Sequence, residues 1–256
     1  MVRIVSLLAF LLFSIVASAQ VSENRTVGDF SKLRVASGIE LTFTQGPAGP
    51  IKVEADDNEK LQDLITKVSG NTLEVYIDSK TYSSRDKKDK KRYSHKVMRV
   101  WVSSPSVNEF KASSSSSLTF KNGIDVKEAT IDVSSSASVY GNVKAENIYI
   151  ETSSSSKIES TITAKKLSVK SSSSSDAILA GEAENVDIRT SSSSDVNAKK
   201  LTCKTATIES SSSSGASINV TEALYAKASS SASISYSGNP AKVESEKSSS
   251  GSVSKK

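Results

Sequence analysis

The sequence predicts an all-β fold: a solenoid of stacked coils of about 19 residues, with an N-terminal β-rich region capping its first end. Three observations carry that prediction. A serine tract returns at a steady interval from Phe110 to the C-terminus, and apolar residues two apart precede each return. No window supplies the i, i+3, i+4, i+7 apolar pattern that a helix needs over three turns.

The returns read FKASSSSSL, IDVSSSASV, IETSSSSKI, VKSSSSSDA, IRTSSSSDV, IESSSSSGA, AKASSSASI and SEKSSSGSV. They begin at Phe110, Ile131, Ile150, Val169, Ile188, Ile208, Ala226 and Ser245, at intervals of 21, 19, 19, 19, 20, 18 and 19 residues. Ahead of each tract a small residue is followed three positions later by an apolar one and two positions after that by another. Such sets are Ala145, Ile148, Ile150 and Ala183, Val186, Ile188. Residues two apart share one side of a strand, so Ile148 and Ile150 face inward while Tyr149 faces out. A second short apolar segment follows each tract, at Val139, Ile158, Ala177 with Ile178, Val196, Ile218 and Ile234.

One coil holds too few apolar residues to bury a core alone, and stacking solves that. Parallel strands then lie roughly 4.8 Å apart, and eight coils make a rod of roughly 40 Å. Alternation within a run of serines points one or two hydroxyls per coil at the interior. A hydroxyl both donates and accepts, so stacked serines satisfy one another. A flexible serine-rich linker shares this composition but does not interleave apolar residues at constant phase.

Residues 1–19 combine Arg3, an apolar run from Ile4 to Val16, and Ala17-Ser18-Ala19 before Gln20. That is the pattern of a secretory signal peptide with an A-x-A cleavage site, too short for a membrane span. The expectation is an exported chain with no transmembrane segment once the leader is removed, destined for the periplasm, the outer-membrane surface or the exterior. Loss of Arg3 leaves 32 basic and 28 acidic residues, an excess too mild to argue for nucleic acid. The lone Cys203 stands where Ala145, Ala164 and Ala183 stand in neighbouring coils, and reads as a small buried filler.

After an N-terminal extension at 20–27, residues 28–108 lack the serine tracts and read as longer strands. Leu33 and Val35 alternate, as do Ile39, Leu41 and Phe43, then Ile51 and Val53, then Leu73, Val75 and Ile77. Gly46-Pro47-Ala48-Gly49-Pro50 is a turn, and Ser69-Gly70-Asn71 leads a hairpin into Thr72. A short helical turn over Asp57 to Leu64, capped by Asp56 or Asp57, fits the remaining pattern. The coils occupy 109–244, and 245–256 form a partial last coil or a tail.

Segment 79–96 is a basic loop. Its Arg85, Lys87, Lys88, Lys90, Lys91 and Arg92 are candidates for attracting an anionic polysaccharide or headgroup, beside the plainer reading of a solvated loop. His95 falls in the same loop with no second histidine to share a metal. No phosphate loop, zinc-ligand pair, calcium nonapeptide or base-activated serine motif occurs, so no catalytic residue, metal or cofactor is expected. The outward position after each first apolar residue reads Asp132, Glu151, Lys170, Arg189, Glu209, Lys227. Pairing of Glu151 with Lys170, Arg189 with Glu209 and Glu209 with Lys227 would make this a register-supporting stripe. An active site for an acidic polysaccharide, built on Lys170 and Arg189, is the alternative.

The opening GDFSKLRVASGIELTFTQG from Gly28 to Gly46, the following IKVEADDNEKLQDLITKV and GNTLEVYI, and the serine-rich coils together resemble the GIN-domain family of autotransporter-adhesin head domains. The resemblance spans Gly28 to Val243 and implies a right-handed single-stranded parallel β-helix in an exported bacterial protein. It brings no catalytic residues, and this chain carries no membrane barrel domain. The expectation is therefore a non-enzymatic envelope protein that binds a surface protein or a glycan. A carbohydrate-active β-helix enzyme and a structural or signalling component are the alternatives, and an ice-binding solenoid is disfavoured because its files would be threonine.

Overall fold

The computed structural model describes residues 20–78 and 98–256. The expected leader at 1–19 and the basic segment with Arg85, Lys87, Lys88, Lys90, Lys91, Arg92 and His95 lie outside the described residues. The first part of the chain forms β1 (Val21–Arg25), β2 (Lys32–Val35), β3 (Glu40–Gln45), β4 (Ile51–Ala55), α1 (Asn58–Asp63), β5 (Leu64–Ser69), β6 (Thr72–Ile77) and β7 (Met98–Ser104). Alternation of apolar and polar residues places β2, β3, β4, β6 and β7 with one face in the core. Asp57 caps α1 by accepting from the Lys60 N–H at 2.9 Å. The hairpin into Thr72 is present, turning at Gly70 with φ +61°; its first strand, β5, has no clean alternation to announce it.

The coils follow as β8 (Glu109–Ala112), β9 (Ser117–Val133), β10 (Ser138–Thr152), β11 (Lys157–Ser171), β12 (Asp176–Thr190), β13 (Asp195–Ser210), β14 (Gly215–Ala228), β15 (Ser233–Ser237), β16 (Lys242–Lys247) and β17 (Ser252–Lys255). They stack in parallel register, Ile148 on Leu167 and Leu167 on Val186, with Ile150, Val169 and Ile188 in the next file. These residues are buried and fill the bore. The chain is all-β, a β-solenoid of about 8 turns with about 19 residues per turn.

The serine tracts begin near Phe110, but the stacking begins earlier. Strand β2 pairs in parallel with β8 on one side and with β6 on the other, and β3 lies in the same way between β9 and β7. Leu33 stacks on Phe110 and Leu41 on Leu118, so Ala36-Ser37-Gly38 is already the first turn of the serine corner. Below it, β4 runs antiparallel to β7 and β1 antiparallel to β4, closing this end. Phe43, Phe110 and Phe120 meet edge to face, with centroids 4.7 to 6.3 Å apart, and knit the cap to the first coils.

The serine tracts do not alternate in and out. In each coil two successive serines are left-handed, as Ser154 (φ 55°) and Ser155 (φ 60°) are, and both side chains face solvent. A left-handed pair reverses the chain within four residues, which extended alternation cannot do. Each non-glycine residue held there costs about 1 to 2 kcal/mol, and a ladder of its own offsets that. The Ser155 N–H donates to the Ser173 carbonyl and the Ser174 N–H to the Ser192 carbonyl, both at 3.0 Å.

The inward hydroxyls come from the residues flanking each left-handed pair. They pair across coils as expected, and also with carbonyls. Thr152 Oγ1 donates to Ser171 Oγ at 2.9 Å and Thr190 Oγ1 to Ser210 Oγ at 2.8 Å. Ser156 Oγ donates to the Val133 carbonyl at 2.7 Å and Ser194 Oγ to the Ser171 carbonyl at 2.8 Å. Every such turn has the same length. Changes in coil length fall on the long strands instead, as register shifts between Gly141 and Val143, Ile178 and Ala180, and Ala198 and Thr202.

Cys203 is buried in the file of Ala145, Ala164 and Ala183, as its position in the repeat indicates. Burial pushes its thiol from an ordinary 9.0 up to about 12.

Thr190→Val keeps the side-chain shape but strands the Ser210 and Ser214 hydroxyls; urea unfolding should show a loss of about 1 to 3 kcal/mol. At Gly181, with φ +103°, a Cβ would lie 2.1 Å from the Ile162 carbonyl oxygen. Gly181→Ala should therefore lower the unfolding midpoint by the equivalent of about 1 to 3 kcal/mol, while Gly28→Ala, with open space around it, leaves it nearly unchanged. Below pH 9.0 the Cys203 thiol is neutral folded and unfolded, whereas between there and about 12 only the unfolded thiol ionises. The cysteine contribution to stability should thus fall as pH rises across that window and vanish in Cys203→Ala, and alkylation at pH 8 should require unfolding.

Candidate functional site

Small side chains in one file leave a furrow along the solenoid. Val126, Ala145, Ala164, Ala183, Cys203 and Val220 stand one above the next in register, where the chain bends between two strand segments of each coil. The residues on either side point outward and form two walls. The result is a groove of about 560 Å³ that runs across the coils from Asp125 to Thr221. Its floor is closed at Ala145 (8% exposed), Ala183 (6%) and Cys203 (2%) and half-buried at Val126 and Ala164.

The walls are charged and largely self-paired. On one side, Lys144 reaches Asp125 of the preceding coil at 2.8 Å. On the other, Lys165 reaches Glu146 at 3.1 Å and Lys204 reaches Glu184 at 3.5 Å. All six side chains are about half exposed or more, so these pairs are screened and readily exchanged. The Lys165 ammonium, by hydrogen bond first and then by charge, holds the Glu146 carboxyl below its ordinary range. Toward the last coils the walls become neutral, with Asn219 Nδ2 donating to Thr202 Oγ1 at 3.0 Å and Thr221 Oγ1 to the Cys203 carbonyl at 3.1 Å.

The floor residues were legible as a small file in the repeat, but as filler. The groove's signal sits one position further on, where Lys127, Glu146, Lys165, Glu184 and Lys204 alternate strictly in sign from coil to coil. That order lets neighbouring coils pair, Lys165 with Glu146 and Lys204 with Glu184.

The outward stripe before the serine corner carries a partial ladder of ion pairs, interrupted where Asp132 stacks on Glu151 and Lys170 on Arg189. Lys111 pairs with Asp132, Lys170 with Glu151 at 2.9 Å, Arg189 with Glu209 at 3.6 Å, and Lys227 with Glu246 at 3.1 Å. Two of the three expected pairs are present. The third is corrected: Lys227 turns forward to Glu246, because Glu209 already faces Arg189. Lys170 and Arg189, the candidates for an acidic-polysaccharide site, are both partners in this ladder. On the strands after the serine corner Asp176 and Asp195 stack in adjacent coils; burial first, then the Asp176 charge, raises the Asp195 carboxyl above its ordinary value. Among the described residues no three of His, Cys, Asp and Glu gather where a metal ion would bind. None of their helices is long and apolar enough to cross a membrane.

No curated protein matches the chain significantly. Solved structures do. A "putative lipid binding protein" from Parabacteroides distasonis is 21% identical with a TM-score of 0.81, over 93% of this chain and 96% of that one. A "putative adhesin" from Parabacteroides merdae is 18% identical with a TM-score of 0.83, over 93% and 96%. A "putative adhesin" from Parabacteroides distasonis is 17% identical with a TM-score of 0.83, over 93% and 97%. At these identities the likeness is one of fold. The family described as "Putative auto-transporter adhesin, head GIN domain" matches residues 29–240, most of the coils and cap together, and the chain belongs to that GIN-domain family.

Proposed function

We propose that this protein is a non-enzymatic, exported binding solenoid of the bacterial cell envelope, and that it holds an extended ligand along the groove floored by Ala145, Ala164, Ala183 and Cys203. The observation that carries this reading is the continuity of the groove. It runs over the coils from Asp125 to Thr221 on strands hydrogen-bonded to both neighbours, so its walls are held rigidly at a fixed repeat. The adhesin description of the family and the leader-like residues 1–19 support an exported binding role.

Two other readings meet obstacles. One structural neighbour carries a lipid-binding description, but in this chain a lipid tail laid on the floor would lie between charged walls, over Ala145, Ala183 and Cys203, which are 2 to 8% exposed, and the half-buried Val126 and Ala164. Covering these small side chains gives a modest hydrophobic gain, and a tail brings no partner for the wall charges. Hydrolysis of a glycan calls for a carboxyl kept protonated as general acid. In the groove the opposite holds at Glu146, whose carboxyl is pulled down by Lys165.

Thr163 is exposed on a wall of the groove, so Thr163→Trp places an indole at the channel with little demand on the core. The mature chain should bind one or more envelope polysaccharides on an immobilised panel, and Thr163→Trp should weaken that binding at least about tenfold at an unchanged melting temperature, a loss of roughly 1.4 kcal/mol. Release of new reducing ends from an acidic polysaccharide, abolished by Lys170→Ala or Arg189→Ala, would falsify the non-enzymatic reading.

A further inference from the structure

The groove walls restrict what chemistry can lie between them. One wall alternates Glu146, Lys165, Glu184 and Lys204 at successive coils, and the other begins Asp125, Lys144, Thr163. A polyanion would therefore meet a carboxylate at every second rung of the first wall, and a polycation would meet an ammonium. The lining as a whole holds four carboxylates, Asp125, Glu146, Glu182 and Glu184, against three ammonium groups, Lys144, Lys165 and Lys204. That balance provides no net field to attract either kind of chain.

A polypeptide is no better matched. The strands beneath the groove spend their N–H and C=O groups on the coils above and below, so no edge is left along the groove for strand addition. A peptide N–H only donates and a carbonyl only accepts, whereas the wall changes role at each coil. A hydroxyl does both. It accepts from Lys165 and donates to Glu184 with equal ease, and the exposed ion pairs on the wall give way at little cost.

We infer that the occupant of the groove is an uncharged, hydroxyl-rich chain, a neutral glycan, hydrogen-bonded by both walls at each coil it crosses. This rests on the groove reading proposed above. The lining residues include no aromatic ring, so sugar faces find no stacking platform, and affinity accumulates rung by rung from hydrogen bonds. The six stacked floor positions from Val126 to Val220 span about 24 Å at the parallel-strand spacing. Affinity should rise with chain length up to that span and then level off.

The test is calorimetric titration of the whole mature chain and of Thr163→Trp with size-fractionated neutral glucan and mannan oligosaccharides, polygalacturonate oligomers and chitosan oligomers, each at low and high salt. The expected result is binding of a neutral series that tightens to a length of about 24 Å, changes less than about twofold with salt, and weakens at least about tenfold in Thr163→Trp. Tighter binding of a charged series that fades with salt yet is blocked by Thr163→Trp overturns this inference and leaves the groove reading standing. Binding of any series that Thr163→Trp does not touch overturns the groove reading itself. Failure of every neutral series to bind also overturns the inference.

Discussion

Parallel hydrogen bonding between coils of about 19 residues forces each position to stack on its equivalent above and below. Everything else in the molecule is a response to that constraint. An aliphatic side chain meets aliphatic side chains, so Ile148, Leu167 and Val186 make a continuous bore. A buried hydroxyl meets another hydroxyl or a carbonyl and is satisfied, as Thr152 is by Ser171 and Ser175. Charges stack as well: the outward stripe pairs Glu151 with Lys170 and Arg189 with Glu209, and leaves Lys170 beside Arg189 where both side chains are open to solvent.

Much of this was legible because stacking writes a period into the sequence. The serine returns gave the coil, the apolar residues two apart gave the inward face, and Cys203 declared itself a filler by standing in an alanine file. The cap was less legible. Ala36-Ser37-Gly38 is a serine-corner turn with a single serine, and the residues from Pro47 to Ser104 separate it from the next one, so its membership in the stack shows only through the pairing of β2 with β8. The geometry of the tracts was also hidden. Alternation is the rule for extended chain, and nothing in a run of serines distinguishes it from two consecutive left-handed residues, which glycine or asparagine would have advertised.

The groove was hidden for another reason. Sequence patterns report what is filled, through size and hydrophobicity, and a furrow is defined by what is left empty. Ala145, Ala164 and Ala183 have the same signature whether a bulky neighbour covers them or solvent does. What distinguishes this file is its flanks, where exposed charges alternate coil by coil and pair across coils beside a floor that no bulky side chain covers.

The constant length of the serine turn has a bearing on how such a rod changes over time. Because each turn closes on its neighbour through the left-handed N–H, that edge acts as a spine, and variation is displaced to the far corner, where residues 121–123 and 198–199 already absorb differences between coils. Lineages can then lengthen the molecule by duplicating whole windings and diversify it by altering the far corner. A foreign segment grafted there would ride on an undisturbed spine.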